Sequence, residues 1–179
     1  FEGLLVTDNH HEIHPGVAQS WEVSDDLKVY TFHLRDALWC DGKPVTADDF
    51  VFAWRRGVDP KTAAKYASQF FYLENGEKIF SGELPPDTLG VKALDDRTLQ
   101  VRLCNPVPYM LEIFADTVYC PVREDVLSKN PDDWSVFPET CIGNGPFKLI
   151  EHKVNDKMVL VPNEHYWDRD RVGLDQVKF

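Results

Sequence analysis

Three histidines, His10, His11 and His14, fall close together, and His10 and His14 stand four apart, the spacing that sets two imidazoles on one helical face around a metal ion. Their context argues for a loop instead. Asp8-Asn9 precede them and Pro15-Gly16 follow, all turn-forming residues, and in a loop the four-residue spacing no longer aligns two rings. No HExxH arrangement accompanies them, so a solvated turn is expected and no metal ligand is assigned. Carboxylates are abundant, but Asp25-Asp26, Asp48-Asp49, Asp95-Asp96 and Asp132-Asp133 are adjacent pairs in turns or caps. Neighbouring side chains there suit bonding to local amides better than a paired acid and base. No GxSxG is present, no serine or cysteine has a recognisable histidine partner motif, and Gly143-Asn144-Gly145 is too short for a phosphate loop. No catalytic residue and no cofactor are therefore assigned.

Cys40, Cys104, Cys120 and Cys141 are widely and irregularly spaced, without a CxxC pair, which disfavours a zinc ribbon or a thioredoxin-like site. They read as small buried side chains. If a disulfide forms, Cys40 with Cys104 is the first pairing to examine, since both follow expected strands. Aromatic residues are numerous: Trp39, Tyr66, Phe70-Phe71-Tyr72, Tyr109 and Tyr119. Most must be core, and some are expected to line a cleft for a ligand with variable side chains.

The elements that would position these residues are legible from periodicity. Ser20-Trp21-Glu22-Val23 and Val29-Tyr30-Thr31-Phe32-His33-Leu34 alternate with period two around the turn Ser24-Asp25-Asp26 and predict a hairpin. Leu89 to Leu94 and Thr98 to Leu103 predict a second pair around Asp95-Asp96. Thr46 is an N-cap with Asp49 three residues on, a capping box with Asp in place of Glu. Phe50, Val51, Trp54 and Val58 then form an apolar stripe, and Gly57 with Asp59-Pro60 ends that helix. A shorter helix follows Pro108 over residues 109–115, and weaker helices are expected over residues 73–80 and 122–129. Strands return at residues 146–150 and 157–161 with Asn155-Asp156 as their turn. Phe1 to Val6 reads as mid-strand and Val177-Lys178-Phe179 as the start of another, so the chain is expected to be an excised part of a longer one.

With 179 residues, 43% of them hydrophobic, the chain can bury a sizeable core. Its formal net charge of −11 opposes binding to nucleic acid or to anionic membranes. No apolar run reaches the ~18 residues of a membrane span. The pattern is that of a mainly antiparallel mixed α/β protein.

The order of the motifs adds a resemblance. Phe1-Glu2-Gly3-Leu4-Leu5, Pro15-Gly16-Val17-Ala18, Ser20-Trp21-Glu22-Val23 and Tyr30-Thr31-Phe32-His33-Leu34-Arg35 resemble the family 5 extracellular solute-binding proteins. So does the run from Trp39-Cys40-Asp41-Gly42 through Lys43-Pro44-Val45-Thr46-Ala47-Asp48-Asp49-Phe50-Val51. Leu89-Gly90-Val91-Lys92-Ala93-Leu94-Asp95, Pro106-Val107-Pro108-Tyr109, Asn144-Gly145-Pro146-Phe147-Lys148-Leu149 and Tyr166-Trp167-Asp168 complete the series. The resemblance spans the chain in order and is strongest to the family's oligopeptide and murein-tripeptide receptors. It implies a two-lobed hinged clamp of the type II periplasmic binding fold. Residues 1–122 would be the small middle lobe, and residues 123–179 part of the adjoining lobe. The implied function is capture of short peptides for an ABC importer, without bond-making chemistry. The protein would be monomeric, partnered by short peptides and the permease subunits, and located in the periplasm or lipid-anchored outside the cell. Family relatives also take dipeptides, nickel complexes, haem or sugars; a secreted hydrolase is the rival from another class. Two positions carry over. Tyr66 matches a tyrosine that contacts bound peptide, against the alternative of a core tyrosine. Asp116 falls where the oligopeptide receptors carry a histidine near a side-chain pocket, and a carboxylate there would favour basic side chains; the alternative is a loop aspartate without ligand contact.

Overall fold

Every second side chain of Val29–Leu34 is buried, the mark of a strand with one face on a core. This strand anchors one of two compact units in the computed structural model, which describes all 179 residues. The larger unit comprises Gly3–Arg35 and Thr46–Pro121, and the smaller comprises Phe1–Glu2, Asp36–Val45 and Val122–Phe179.

In the larger unit, β1 (Leu5–Thr7) and β2 (Ile13–Pro15) form a short hairpin. A four-stranded antiparallel sheet follows, built from β3 (Ala18–Val23), β4 (Val29–Leu34), β5 (Val91–Asp95) and β6 (Thr98–Arg102) in the order β3-β4-β6-β5. Both expected hairpins are present. The first turn is closed by Ser24 Oγ and the Asp26 carboxylate, which accept from the amides of Val29 and Lys28. In the second, Asp95 accepts from the Arg97 amide at 2.8 Å. The start of the chain departs from expectation, because the strand begins only at Leu5.

Helix α1 (Ala47–Val58) begins at Thr46, whose amide donates to the Asp49 carboxylate at 2.9 Å, so aspartate completes the capping box. Gly57, read as part of the stop signal, lies inside this helix. A Cβ there would stand 2.5 Å from the Phe70 ring, so the glycine permits close approach of the next segment. That segment is a 3-10 turn, Ala67–Tyr72, followed by α2 (Gly76–Phe80), which starts later than its pattern indicated because Asn75 takes a left-handed conformation. Helix α3 (Met110–Phe114) follows Pro108 as expected. The core of the unit is aromatic: Phe32, Trp54, Phe70, Phe114 and Tyr119 are all at most 1% exposed. Trp54 stacks on Phe114 at 5.8 Å, and Tyr119 stands edge-on to Trp54, Phe70 and Phe114.

In the smaller unit, Asp41-Gly42 forms a tight turn, with Gly42 at φ 83° and a bridge between Leu38 and Pro44. Glu2 is buried; its carboxylate accepts 2.6 Å hydrogen bonds from the Tyr166 hydroxyl and the Trp167 indole, while the Asn144 side chain bonds its backbone. Helix α4 (Glu124–Leu127) is preceded by Arg123, a buried guanidinium paired with Asp41 and Asp125. Strands β7 (Phe147–Lys153), β8 (Lys157–Pro162) and β9 (Val177–Lys178) form a three-stranded antiparallel sheet, with Asn155 left-handed in the hairpin turn. No helix in either unit is long and apolar enough to cross a membrane.

The four cysteines are free thiols. Cys40 and Cys104 are both free, so the pairing considered first is not formed. None of the four is fully buried as expected: Cys104 is exposed, bonding the Phe71 carbonyl at the surface, and the other three are half-buried. Burial pushes the Cys40 and Cys141 thiols up, away from the reactive thiolate form.

Candidate functional site

Tyr66 immediately precedes the 3-10 turn Ala67–Tyr72 and leaves 57% of its surface in solvent, which rules out the core reading. The Lys65 ammonium lies 5.3 Å from the centre of its ring. The backbone beneath it is fixed from inside. Ala67 and Phe70 are buried, and the Phe70 ring lies against Trp54 and Tyr119.

Asp116 caps another one-turn segment, Thr117–Tyr119. Its carboxylate accepts from the Val118 amide at 3.0 Å and its carbonyl from the Tyr119 amide at 3.1 Å. The side chain is exposed, so it serves the turn while facing water. Tyr119 ties the two segments together: its hydroxyl donates to the Gln69 carbonyl at 2.5 Å, and its own carbonyl accepts from the Trp54 indole at 2.9 Å. Burial first, then the nearby Tyr72 phenol and Asp116 carboxylate, pushes the Tyr119 phenol well above its ordinary range, so it remains a neutral donor. The structure thus sets the two sequence-derived positions on adjoining segments of the larger unit. On the 3-10 turn that follows Tyr66, Ser68, Gln69, Phe71 and Tyr72 line a shallow depression of about 380 Å³.

The other aromatic candidates divide. Trp39 and Tyr119 are fully buried, Tyr109 is 53% exposed, and Phe71 and Tyr72 are half-buried. Sequence reasoning left out Gln69 and Ser68, whose contribution is mainly backbone geometry, and it did not foresee Tyr119 as the tie between segments. An exposed aromatic, a half-buried aromatic pair and an exposed carboxylate on a rigid aromatic base can bind a flexible chain with a basic side chain; no nucleophile or acid–base pair stands among them.

The family model for bacterial extracellular solute-binding proteins, family 5 middle, matches residues 12–179. The chain belongs to family 5 of the bacterial extracellular solute-binding proteins. This family 5 chain is 44% identical over its whole length to the periplasmic oligopeptide-binding protein OppA of Salmonella typhimurium, covering 33% of that protein. It is equally 44% identical to the dipeptide-binding protein DppE of Bacillus subtilis, with 99% of this chain and 33% of that one aligned. Among solved structures it superposes on Haemophilus influenzae OppA in complex with RPPGFSPFR at a TM-score of 0.95 and 44% identity, covering 99% of this chain and 35% of that one. The chain therefore spans about a third of the length of the relatives it matches. That family 5 membership bears out the resemblance and the mixed α/β, type II binding-protein fold.

Proposed function

We propose that this chain is part of the substrate-binding component of an ABC importer that captures short peptides outside the cytoplasm and hands them to membrane permease subunits. Residues 1–122 are read as the small middle lobe and residues 123–179 as part of the adjoining lobe. Location in the periplasm, or on a lipid anchor at the outer face of the membrane, goes with this reading, as does binding without catalysis. The observation that carries it is the exposed Tyr66 ring on a backbone fixed by Phe70 and the Tyr119 hydroxyl. An aromatic face contacts peptides of many sequences without demanding one chemistry, and a carboxylate at Asp116 adds a preference for lysine or arginine side chains.

The test is calorimetry on the full-length protein. Tyr66→Ala is expected to weaken binding of all peptides about tenfold or more, of the order of one lost aromatic contact. Asp116→Ala should weaken lysine-containing peptides selectively. Unchanged affinity in both variants would remove the site assignment. The equal identity to a dipeptide-binding relative keeps ligand length open to measurement: mass spectrometry of the ligand co-purifying with the full-length protein distinguishes dipeptides from longer chains.

A further inference from the structure

Strand alternation gathers three side chains of metal-ligand type on one face of the β1–β2 hairpin. The register pairs Val6 with His14, and the Asp8 amide donates to the Glu12 carbonyl at 3.1 Å just beyond the last strand pair. Residues two apart on a strand share a face, as do cross-strand partners, so Asp8, Glu12 and His14 project together. The intervening loop is three residues long. The His11 amide bonds the Asp8 carbonyl at 3.1 Å, and His11 itself is left-handed at φ 63°, the usual closure for a three-residue hairpin loop.

Asp8 is held for the task. Its Oδ1 accepts from the amides of His10 at 2.8 Å and Glu12 at 3.0 Å, which leaves Oδ2 facing His14 Nε2 at 2.9 Å. The exposed Glu12 carboxylate has neither a hydrogen bond nor an ion pair. One ligand atom from each of the three residues lies within 4.8 Å of the others. Two carboxylates facing each other across a hairpin repel, and a single imidazole offsets that only in part.

We propose that Asp8, Glu12 and His14 form a binding site for one divalent transition-metal ion of the Zn²⁺ class. The imidazole selects against Mg²⁺ and Ca²⁺, which prefer oxygen-only shells. Three protein ligands leave a position for water, as in open zinc sites. Ligand atoms around tetrahedral zinc stand about 3.3 Å apart for bonds near 2.0 Å. The exposed side chains of Glu12 and His14 reach that spacing by rotation, while the hairpin backbone stays as it is. His10 and His11, one at the turn and one at its left-handed corner, are not needed.

The test titrates the metal-stripped 179-residue chain with ZnCl₂ by calorimetry and with CoCl₂ by visible absorption. One equivalent is expected, unaffected by excess CaCl₂. His14→Ala and Glu12→Gln should each weaken it at least tenfold, and so should Asp8→Asn, which retains the Oδ1 bonds to the turn. His10→Ala combined with His11→Ala should stay within about threefold of the parent. The proposal is overturned if the double variant abolishes binding, if His14→Ala and Glu12→Gln leave it intact, or if Ca²⁺ competes on equal terms. Circular dichroism in chelator checks that each variant folds; Glu12, lacking any side-chain partner, decides the question should Asp8→Asn prove unstable.

Discussion

Tyr66 and Tyr119 are the same residue type, each at one end of a 3-10 turn, yet one is largely in water and the other wholly buried. No period or spacing separates them; the difference is made by Trp54, Phe70 and Phe114 closing around Tyr119 in three dimensions. Tyr66→Ala should therefore shift the free energy of unfolding by less than about 0.5 kcal/mol, read from urea midpoints. A larger loss would mean that the ring supports the fold. Glu2 is the opposite case. Replacing it by Ala strands the Tyr166 hydroxyl and Trp167 indole without their acceptor, at a cost of about 2–3 kcal/mol by the same measurement. Asp125 gives a pH dependence. The Arg123 guanidinium, then Lys43, holds its carboxyl well below the ordinary carboxylate range. A lowered folded value means that this contribution is complete above the unfolded value and is lost as pH falls below about 4. Because Asp125 is half exposed, screening limits the effect to about 1 kcal/mol. Asp125→Asn should therefore lose about that much less stability than the parent between pH 7 and pH 2.

Elements were far more legible than sites. The capped helix, both hairpins of the four-stranded sheet and the β7–β8 hairpin follow from local rules of capping, alternation and turn chemistry, and all four are present. What local rules could not convey is approach between segments. Gly57 read as a helix stop, whereas it is the gap into which Phe70 fits. Likewise, the histidine cluster read as a bare solvated turn because the useful pattern was strand alternation through Asp8, Glu12 and His14, not histidine spacing. Gly57→Ala should destabilise the larger unit by about 1–3 kcal/mol through overpacking. It should also displace the 3-10 turn behind Tyr66, so near-ultraviolet circular dichroism of the buried aromatics ought to change. An unchanged spectrum would show that Phe70 can move aside freely.

At the scale of the whole molecule, the larger unit owes its solidity to central strands and an aromatic core, while the smaller relies on polar clusters around Glu2 and Arg123. Amides of β4 and β6, the two inner strands of their sheet, should exchange with deuterium most slowly. Those of β9, paired over only two residues, should exchange fastest among the strands. Uniform protection across both sheets would contradict that ranking. The path of the chain has one further consequence, for biosynthesis. The smaller unit is assembled from Phe1–Glu2, Asp36–Val45 and Val122–Phe179, with the larger unit's residues interposed. A polypeptide emerging in order from a ribosome or a secretion channel can complete the larger unit once Pro121 is out. Glu2 must wait for Asn144, Tyr166 and Trp167 to follow. For that interval a carboxylate destined for burial stands open to solvent, chaperones and proteases.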